Sequence, residues 1–213
     1  MSTRSNTPFT QPAETWNKRF AKDAYVFGTE PNAWLRKHAS VWKPGSRILC
    51  VADGEGRNSV WLAGQGHQVH AFDIAEVGVE KARRLAQQNQ VSVEFTVAGC
   101  DDFAWTPQAY DGVAAIFVQF AEPAMRQRLF NNMVQSLKPG GSLILVGYTP
   151  KQLEYGTGGP GVLSHLYTPE LLRQELGGLD IQLLDAHEVA LAEGDGHKGM
   201  SAVIGLLATR PGA

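Results

Sequence analysis

A glycine-rich turn and a later acidic residue are the residues best placed to do chemistry in this chain. The turn, residues 52–58 with the sequence Ala-Asp-Gly-Glu-Gly-Arg-Asn, follows an apolar run typical of a buried strand and precedes a predicted helix. Its glycines let the backbone approach a ligand closely, and the free N–H groups at a helix N-terminus suit a negative or polar group. Asp73 ends the next predicted strand, from which a carboxylate can accept hydrogen bonds from both hydroxyls of a ribose. Together these residues indicate a site for a nucleoside-containing ligand, although a tight turn followed by a helix-capping acid, with no ligand, has the same pattern.

The spacing of the glycines distinguishes between two kinds of nucleoside ligand. A dinucleotide fingerprint has the pattern Gly-x-Gly-x-x-Gly, whereas Gly54 and Gly56 are followed in register by Ser59. The turn instead has the pattern x-Ala-x-Gly-x-Gly, the spacing found where S-adenosylmethionine (SAM) is bound. A predicted C-terminal hairpin also suits a methyltransferase better than a nicotinamide enzyme. We therefore predict SAM as the cofactor and S-adenosylhomocysteine (SAH) as the product. A nicotinamide-dependent oxidoreductase and a SAM-binding regulator without turnover are the alternatives.

Strand and helix patterns alternate along the chain and would position this turn. Short apolar runs predict strands over residues 48–51, 67–72, 91–97, 110–117 and 142–146. Helical patterns cover residues 58–64, 75–90, 123–137 and 168–176. Two apolar stretches, 181–191 and 202–208, flank a Glu-Gly-Asp-Gly turn and predict an antiparallel hairpin. The alternation predicts an α/β fold with a doubly wound, mostly parallel, seven-stranded Rossmann-like sheet that ends in this hairpin.

The N-terminal segment predicts a helical cap on this core. Trp16 and Phe27 belong to a helical, partly aromatic pattern, and a second helix is expected from Thr29 as N-cap through His38. We predict a single domain over residues 1–213, with residues 1–43 as the cap and residues 44–213 as the core.

Composition and charge exclude several function classes. The chain has 213 residues, with 19 Lys and Arg against 21 Asp and Glu, and its formal net charge of −2 lacks the positive field typical of nucleic-acid binding. Its two cysteines cannot form a disulfide framework, and no metal site is predicted. No apolar run approaches the roughly 20 residues of a membrane-spanning helix, and residues 1–12 lack the apolar core of a signal peptide. We expect a cytoplasmic monomer or homodimer that acts on a small molecule and binds neither nucleic acid nor membrane.

Four stretches of the chain carry a family resemblance: residues 16–20 with 25–35, residues 50–62, residues 147–160 and residues 193–199. The third, Gly-Tyr-Thr-Pro-Lys-Gln-Leu-Glu-Tyr-Gly-Thr-Gly-Gly-Pro, is the most distinctive. With them the chain resembles bacterial class I SAM-dependent methyltransferases of the group related to tellurite-resistance and thiol methyltransferases. The resemblance implies methyl transfer to a small-molecule acceptor, with a thiol or chalcogen oxyanion preferred.

The resemblance also implies roles for residues at the cofactor site. Gly54 and Gly56 would back the methionine part of the cofactor, and Asp73 would hold the ribose. Ile74 would pack against the adenine, and Gln119 would line the cleft for methyl transfer. The full implied set of cofactor-binding residues is Asp53, Gly54, Glu55, Gly56, Asn58, Asp73, Ile74, Asp101, Asp102 and Gln119.

Some positions depart from the family pattern. Cys50 stands where an acidic residue is usual early in the first turn, and Asp53 precedes the middle glycine. The third predicted strand ends in Ala-Gly-Cys (98–100) where an Asp is often found. Asp101 or Asp102 would therefore face the adenine amino group.

Candidate residues for chemistry on the acceptor lie in loops and at strand ends. A thiolate or another soft anion needs little help with deprotonation, whereas a hydroxyl or ammonium acceptor needs a general base. His165, His187 and His197 are candidate bases, and Tyr148 could contact the acceptor; a solvated or structural role is the alternative for each histidine. Because no strong base is evident, a soft acceptor is preferred.

The predicted cap and a glycine-rich loop could cover the substrate. Trp16 and Arg19 would contact the sulfonium or the acceptor, and Tyr25 could contact the acceptor; packing of the cap onto the sheet is the alternative. Residues 156–161 have the flexibility of a substrate lid or of a mobile connection. A solvated helix face is expected for the arginines on later helices, which are Arg126, Arg128 and Arg173.

Overall fold

The structure of the protein is a computed structural model that describes residues 11–212. Residues 1–10, which include most of the stretch 1–12 expected to lack a signal peptide, and Ala213 lie outside the described residues. The helices are α1 (Pro12–Phe20), α2 (Ala33–His38), α3 (Arg57–Gly64), α4 (Glu76–Gln88), α5 (Pro123–Ser136), α6 (Gln152–Tyr155) and α7 (Pro169–Glu175). The strands are β1 (Arg47–Val51), β2 (Gln68–Asp73), β3 (Glu94–Val97), β4 (Tyr110–Ile116), β5 (Leu137–Tyr148), β6 (Asp180–Glu193) and β7 (His197–Thr209). None of the helices in the described part of the chain is long and apolar enough to cross a membrane.

The seven strands form one sheet in the order β3-β2-β1-β4-β5-β7-β6. Strands β1 to β5 pair in parallel, and β7 is antiparallel to both β5 and β6. The predicted mostly parallel seven-stranded sheet with an antiparallel C-terminal hairpin is therefore confirmed. The chain moves outward from β1 to β2 and then returns to β4 on the other side of β1. The carboxyl ends of β1 and β4 consequently meet at a point where the strand order reverses, which is where doubly wound sheets bind ligands.

Side chains of β1 alternate between two hydrophobic clusters, one on each face of the sheet. Ile48 and Cys50 pack with buried residues of α2 and α3. Leu49 and Val51 pack in a larger cluster with residues of α5 and α7. Burial of each such aliphatic side chain contributes roughly 1.5–3 kcal/mol, so β1 holds the turn that follows it firmly in place. Burial on both faces also explains why the sequence of β1 is a continuous apolar run.

The N-terminal cap is present, but its helices differ from the prediction. Helix α1 ends at Phe20, so Phe27 lies in the following turn rather than in a helix. The N-cap of α2 is Asn32, not Thr29, because the Asn32 side chain accepts a hydrogen bond from the amide of Leu35 at 3.1 Å. This bond satisfies a first-turn N–H group of α2 that has no partner within the helix.

One arginine expected on a solvated face is buried instead. Arg126 on α5 is 3% exposed and donates from Nε and Nη2 to the two carboxylate oxygens of Glu175, at 2.9 and 2.7 Å. Its Nη1 donates to the carbonyl of Ser164 at 2.7 Å. The expectation was wrong because α7 carries its own carboxylate against α5, and helix spacing within α5 gives no information about that partner. Arg128 is exposed as expected.

Candidate active site

The glycine turn leaves β1 and enters α3 through three residues with left-handed backbone. The φ angles are +48° at Ala52, +61° at Gly54 and +89° at Gly56. Left-handed backbone is unfavourable for residues with a Cβ, which accounts for glycine at two of these positions. A Cβ at Gly56 would also lie 2.6 Å from Cβ of Ala82, so glycine lets α4 approach the turn. Gly56, the N-cap residue of α3, has no side chain to cap the helix, and in the first turn of α3 the backbone of Ser59 hydrogen-bonds the carboxyl group of Asp53.

Asp73 lies at the carboxyl end of β2, directly beside this turn. It is 7% exposed, and its Oδ2 accepts a hydrogen bond from the amide of Gly54 at 2.9 Å. Its Oδ1 accepts from the amide of Ala75 at 2.8 Å. Burial raises the pKa of Asp73, and the two amide bonds oppose that change by stabilising the carboxylate. Each carboxylate oxygen keeps acceptor capacity for a further donor, as a ribose diol requires.

The turn after β3 brings together two of the residues expected near an adenine. A Cβ at Gly99 would lie 3.4 Å from Cδ1 of Ile74 and 3.0 Å from Oδ2 of Asp102, so both side chains converge on this glycine. Asp101 instead forms an exposed ion pair with Arg128, 2.9 Å from oxygen to nitrogen. Asp102, and not Asp101, is therefore the acid beside Ile74.

Asp53 is a second carboxyl group inside the turn. Its Oδ2 accepts a hydrogen bond from the hydroxyl of Ser59. Removal from water is the main cause that raises the pKa of Asp53 to about 7, and the nearby charge of Asp73 adds to it. The group can therefore be protonated or ionised near neutral pH.

Glu55 points away from the end of the sheet and into the protein. Its side chain is 3% exposed and forms an ion pair with Lys81 of α4, and its Oε2 accepts from the amide of Val26 at 2.8 Å. Tyr25 joins the same group, because its ring lies 4.8 Å from Nζ of Lys81 and its hydroxyl donates to the Lys81 carbonyl at 3.2 Å. Both residues, expected to face cofactor or acceptor, are held by a partner within the protein.

Asn58 and its neighbour Arg57 also hold the cap. The side-chain carbonyl of Asn58 accepts from the amide of Asn32 at 2.9 Å. Arg57 forms an ion pair with Glu193 at 2.8 Å, and Glu193 also accepts from Nδ2 of Asn32 at 3.0 Å. The start of α3 is thereby tied to the cap and to the end of β6.

A stack of aromatic rings connects the cap to the ends of β4 and β5. The rings of Phe27 and His197 are 4.5 Å apart between centroids, those of His197 and Phe117 are 4.3 Å apart, and those of Phe117 and Tyr148 are 4.6 Å apart. The guanidinium of Arg19 lies 5.1 Å from the centroid of Phe27. Phe117, which the sequence analysis missed, follows β4 with φ of +58°, a backbone conformation that is strained for a residue with a Cβ. Its sequence context does not distinguish it from a core residue of the strand.

Tyr148 and His197 form a buried pair within this stack. Oη of Tyr148 lies 2.5 Å from Nδ1 of His197. Burial, with further contributions from Arg57 and Arg19, lowers the pKa of His197 to about 3. Burial raises the pKa of Tyr148, so the phenol keeps its proton and shares one hydrogen bond with the neutral imidazole.

The glycine-rich loop of residues 156–161 covers Tyr148. A Cβ at Gly159 would lie 2.6 Å from Cδ2 of Tyr148, and a Cβ at Gly158 would lie 3.2 Å from its hydroxyl oxygen. Thr157 donates from its hydroxyl to the carbonyl of Met200 on β7 at 2.6 Å. The loop can lie this close to the ring because these two residues have no side chains.

Gln119 and His165 form part of the support behind Tyr148. The side-chain Nε2 of Gln119 donates to the backbone carbonyls of Tyr148 and His165, at 2.9 and 3.0 Å. Its side-chain Oε1 accepts from the backbone N–H of Tyr148 at 2.5 Å. Nδ1 of His165 lies 3.1 Å from the Gln119 carbonyl oxygen. The third candidate base, His187, is paired with Asp185 at 3.1 Å. Gln119 and His165 are therefore each held by hydrogen bonds within the protein.

The cap covers the glycine turn with aromatic side chains. Phe20, at the end of α1, is buried, and a Cβ at Gly54 would lie 3.4 Å from its Cζ. Trp16 stacks on Phe20 at 5.5 Å and lies 5.1 Å from the guanidinium of Arg19. The ring of Phe20 thus lies against the turn, and Trp16 and Arg19 pack beyond it.

Two cavities lie outside this cluster. One, of 230 Å³, is lined by residues that follow β5, by residues at the start of α7 and by residues of β6, among them Thr149, Thr168 and Glu188. The other, of 480 Å³, lies at the opposite end of the sheet, around Arg47 and His70. Neither cavity is lined by the glycine turn.

Comparison with known proteins identifies the family. Residues 48–141 match the family model described as a methyltransferase domain. The chain contains a SAM-dependent methyltransferase domain. The methyltransferase is 28% identical over 191 residues to a thiopurine S-methyltransferase of Pseudomonas fluorescens. The match covers 78% of this chain and 81% of that protein. It is 32% identical over 107 residues to thiocyanate methyltransferase 1 of Brassica oleracea, which covers 49% of this chain and 47% of that protein.

A solved structure shares the fold of the methyltransferase. The N-methyltransferase NodS from Bradyrhizobium japonicum, in complex with SAH, has a TM-score of 0.71 and 14% identity, and the match covers 93% of this chain and 98% of that one. The methyltransferase takes SAM as its cofactor, as predicted from the glycine spacing. The alternative of a nicotinamide-dependent oxidoreductase is therefore excluded. The carboxylate of Asp73 beside the glycine turn is the kind of acceptor that the ribose of SAM requires.

Proposed function

We propose that the methyltransferase methylates a small, soft nucleophile, either a thiol or a chalcogen oxyanion. The observation that carries this proposal is the neutral Tyr148–His197 pair at the centre of the aromatic stack. With a pKa of about 3 for His197 and a raised pKa for Tyr148, this pair does not take a proton from an acceptor near neutral pH. A thiolate or an oxyanion needs no such base, whereas a hydroxyl or ammonium acceptor does.

The charge beside the stack also favours an anionic acceptor. The guanidinium of Arg19 lies between Trp16 and Phe27, 5.1 Å from the centroid of each ring. A cation at this place attracts an anion toward the aromatic side chains. The rings of the stack themselves suit a polarisable atom such as sulfur, since sulfur makes favourable contacts with aromatic rings.

For the cofactor, we propose a division of roles among the residues of the turn. The carboxylate of Asp73 accepts from the ribose hydroxyls, Ile74 and Asp102 flank the adenine, and the backbone of residues 52–56 holds the methionine part. Glu55, Asn58 and Gln119 position the site without contacting the cofactor, because each is already paired within the protein.

When bound, SAM supplies a methyl group on a sulfonium centre, which the lone pair of the acceptor takes by in-line displacement while the C–S bonding electrons remain on the sulfur of SAH. The protein orients the two reactants and excludes water, which is the main contribution an enzyme makes to such a displacement. Phe20 and Phe27 from the cap and the loop of residues 156–161 are the covering groups.

The names of two relatives support the soft acceptor. One is a thiopurine S-methyltransferase and the other a thiocyanate methyltransferase, so both are named for methylation of sulfur compounds.

The test compares acceptors that differ in the attacking atom. Purified protein is incubated with SAM and with thiophenol, phenol or aniline, and in parallel with tellurite or selenite, and SAH formation is measured. We expect turnover with thiophenol or a chalcogen oxyanion and none above background with phenol or aniline. Turnover confined to phenol or aniline, or SAH binding without turnover on any of the soft acceptors, would overturn the proposal.

A further inference from the structure

We propose that the buried ion pair of Glu55 and Lys81 couples cofactor binding at the glycine turn to closure of the N-terminal cap. In this proposal both are positioning residues: neither contacts a reactant, and together they transmit the state of the turn to the cap. The inference rests on the proposed binding of SAM at this turn and adds a role for two residues that the reaction itself does not use.

Lys81 organises the chain that follows α1. Its side chain is 2% exposed, and its Nζ is paired with Glu55. The same Nζ donates to the carbonyls of Lys22 and Ala24, both at 2.8 Å, and to the carbonyl of Phe20 at 3.4 Å. The backbone from residue 20 to residue 24 therefore wraps around one buried ammonium group, which replaces its water shell with protein oxygens.

Glu55 connects that ammonium group to the cofactor turn. It lies between Gly54 and Gly56, so its backbone belongs to the turn, while its carboxylate holds Lys81. Its Oε2 also accepts from the amide of Val26 at 2.8 Å. A displacement of the turn backbone therefore acts on two points of the cap segment, the carbonyls around Lys81 and the amide of Val26.

The cap segment continues to the acceptor side of the site. The carbonyl of Val26 accepts from the amide of Gly196 in the β6–β7 turn at 2.9 Å, and Phe27 stacks on His197 at 4.5 Å. A Cβ at Gly196 would lie 2.3 Å from the Phe27 ring, so glycine is needed for this close packing. The cap thus spans from the cofactor turn, through Glu55, to the ring that neighbours the proposed acceptor.

The buried charges give this arrangement two distinct states. When the cap leaves, the ammonium of Lys81 loses the carbonyls of residues 20–24 and the carboxylate of Glu55 loses the amide of Val26, so both must be rehydrated. A ligand shifts such an equilibrium by as much as it prefers one state. A cofactor held by the turn backbone and covered by Phe20 prefers the closed state, in which Glu55 and Lys81 are fully paired.

The test is amide hydrogen exchange of the full chain with and without SAH, which requires no turnover. The variants are Glu55→Gln and the double variant Glu55→Gln with Lys81→Met. The matched control is Glu175→Gln with Arg126→Met, which removes a buried ion pair on another face of the sheet. Thermal unfolding first establishes that each variant is folded. Glu55→Gln, which keeps an acceptor for the amide of Val26, serves if the double variant does not fold.

In the wild type and the control we expect SAH to slow exchange of the amides in residues 20–28 and in residues 54–58. In the Glu55 and Lys81 variants, SAH should still slow amide exchange in residues 54–58. Its slowing of exchange in residues 20–28 should fall by about 5-fold or more, because couplings between sites are typically at least this large. Equal slowing of residues 20–28 in the variants and the wild type would overturn the coupling alone. A wild type in which SAH slows neither segment would instead overturn the cofactor site proposed above, and the coupling with it.

Discussion

The hydroxyl oxygen of Tyr148 lies 2.5 Å from Nδ1 of His197, and the two residues come from adjacent antiparallel strands. Both side chains are buried, so both groups are neutral near pH 7 and are joined by one hydrogen bond. The hydrogen bond sets the orientation of the His197 ring between Phe27 and Phe117. The shape of the proposed acceptor site therefore depends on a pair that does not itself exchange protons near neutral pH.

The uncharged state of His197 predicts a loss of stability in acid. Its pKa in the folded protein is lowered to about 3, from the ordinary value of 6.5. Between these values the unfolded chain binds a proton that the folded chain does not, so the free energy of unfolding falls as the pH falls through this window, by up to about 1.4 kcal/mol per pH unit. Urea unfolding at several pH values should show a steeper decline for the wild type than for His197→Gln. Parallel declines would contradict the assignment.

The raised pKa of Asp53 predicts that the free energy of unfolding changes with pH in the opposite direction. Its pKa is raised from 3.8 to about 7, so in this window the folded chain holds a proton that the unfolded chain has released. The contribution of Asp53 to stability is therefore lost as the pH rises toward 7. Thermal unfolding should show Asp53→Asn gaining stability relative to the wild type between pH about 5 and pH about 8. Asp101→Asn serves as the control and should show no such gain, because Arg128 lowers the pKa of Asp101.

Replacement of Asp73 should weaken cofactor binding while the protein remains folded. Asp73→Ala removes the acceptor proposed for the ribose hydroxyls, and hydrogen bonds to a charged group are worth about 1.5–3 kcal/mol, which corresponds to roughly 10-fold to 150-fold in affinity. Calorimetric titration with SAH measures this change. Asp101→Ala, whose carboxylate pairs with Arg128 instead, should bind SAH like the wild type. Unchanged SAH affinity in Asp73→Ala would contradict the proposed contact between Asp73 and the ribose.

The glycine-rich loop offers a steric test with a control in the same segment. A Cβ at Gly159 would lie 2.6 Å from the ring of Tyr148, and φ there is +75°, whereas a Cβ at Gly161 would meet no atom within 4 Å. Gly159→Ala should lower the free energy of unfolding by roughly 1–3 kcal/mol through overpacking and strain, and should reduce turnover by displacing Tyr148. Gly161→Ala should change neither. Urea unfolding and SAH formation are the two measurements, and equal behaviour of the two variants would show that the loop does not hold Tyr148.

Local patterns were enough to predict the sheet and the cofactor turn. The run from Ile48 to Val51 is apolar because β1 is buried on both faces, and that property is visible without knowing what covers it. Gly54 and Gly56 are visible because a left-handed backbone needs glycine, and Asp73 is visible because it ends the next strand. Each of these features depends on neighbours within a few residues or on the regular order of strands and helices.

The directions of the polar side chains were decided only by the tertiary structure. Glu55 and Asn58 belong to the same short segment as the glycines, yet their partners are Lys81 on α4 and Asn32 in the cap. In the sequence, Phe117 is only an apolar residue that follows a strand. It becomes part of the aromatic stack because β7 places His197 against its ring. Sequence alone determined the strands of the sheet and the position of the glycine turn, because backbone preference and hydrophobic periodicity are local properties. Which group each buried polar or aromatic side chain contacts depends on the packing of segments that are distant along the chain, so it was settled only when the elements came together.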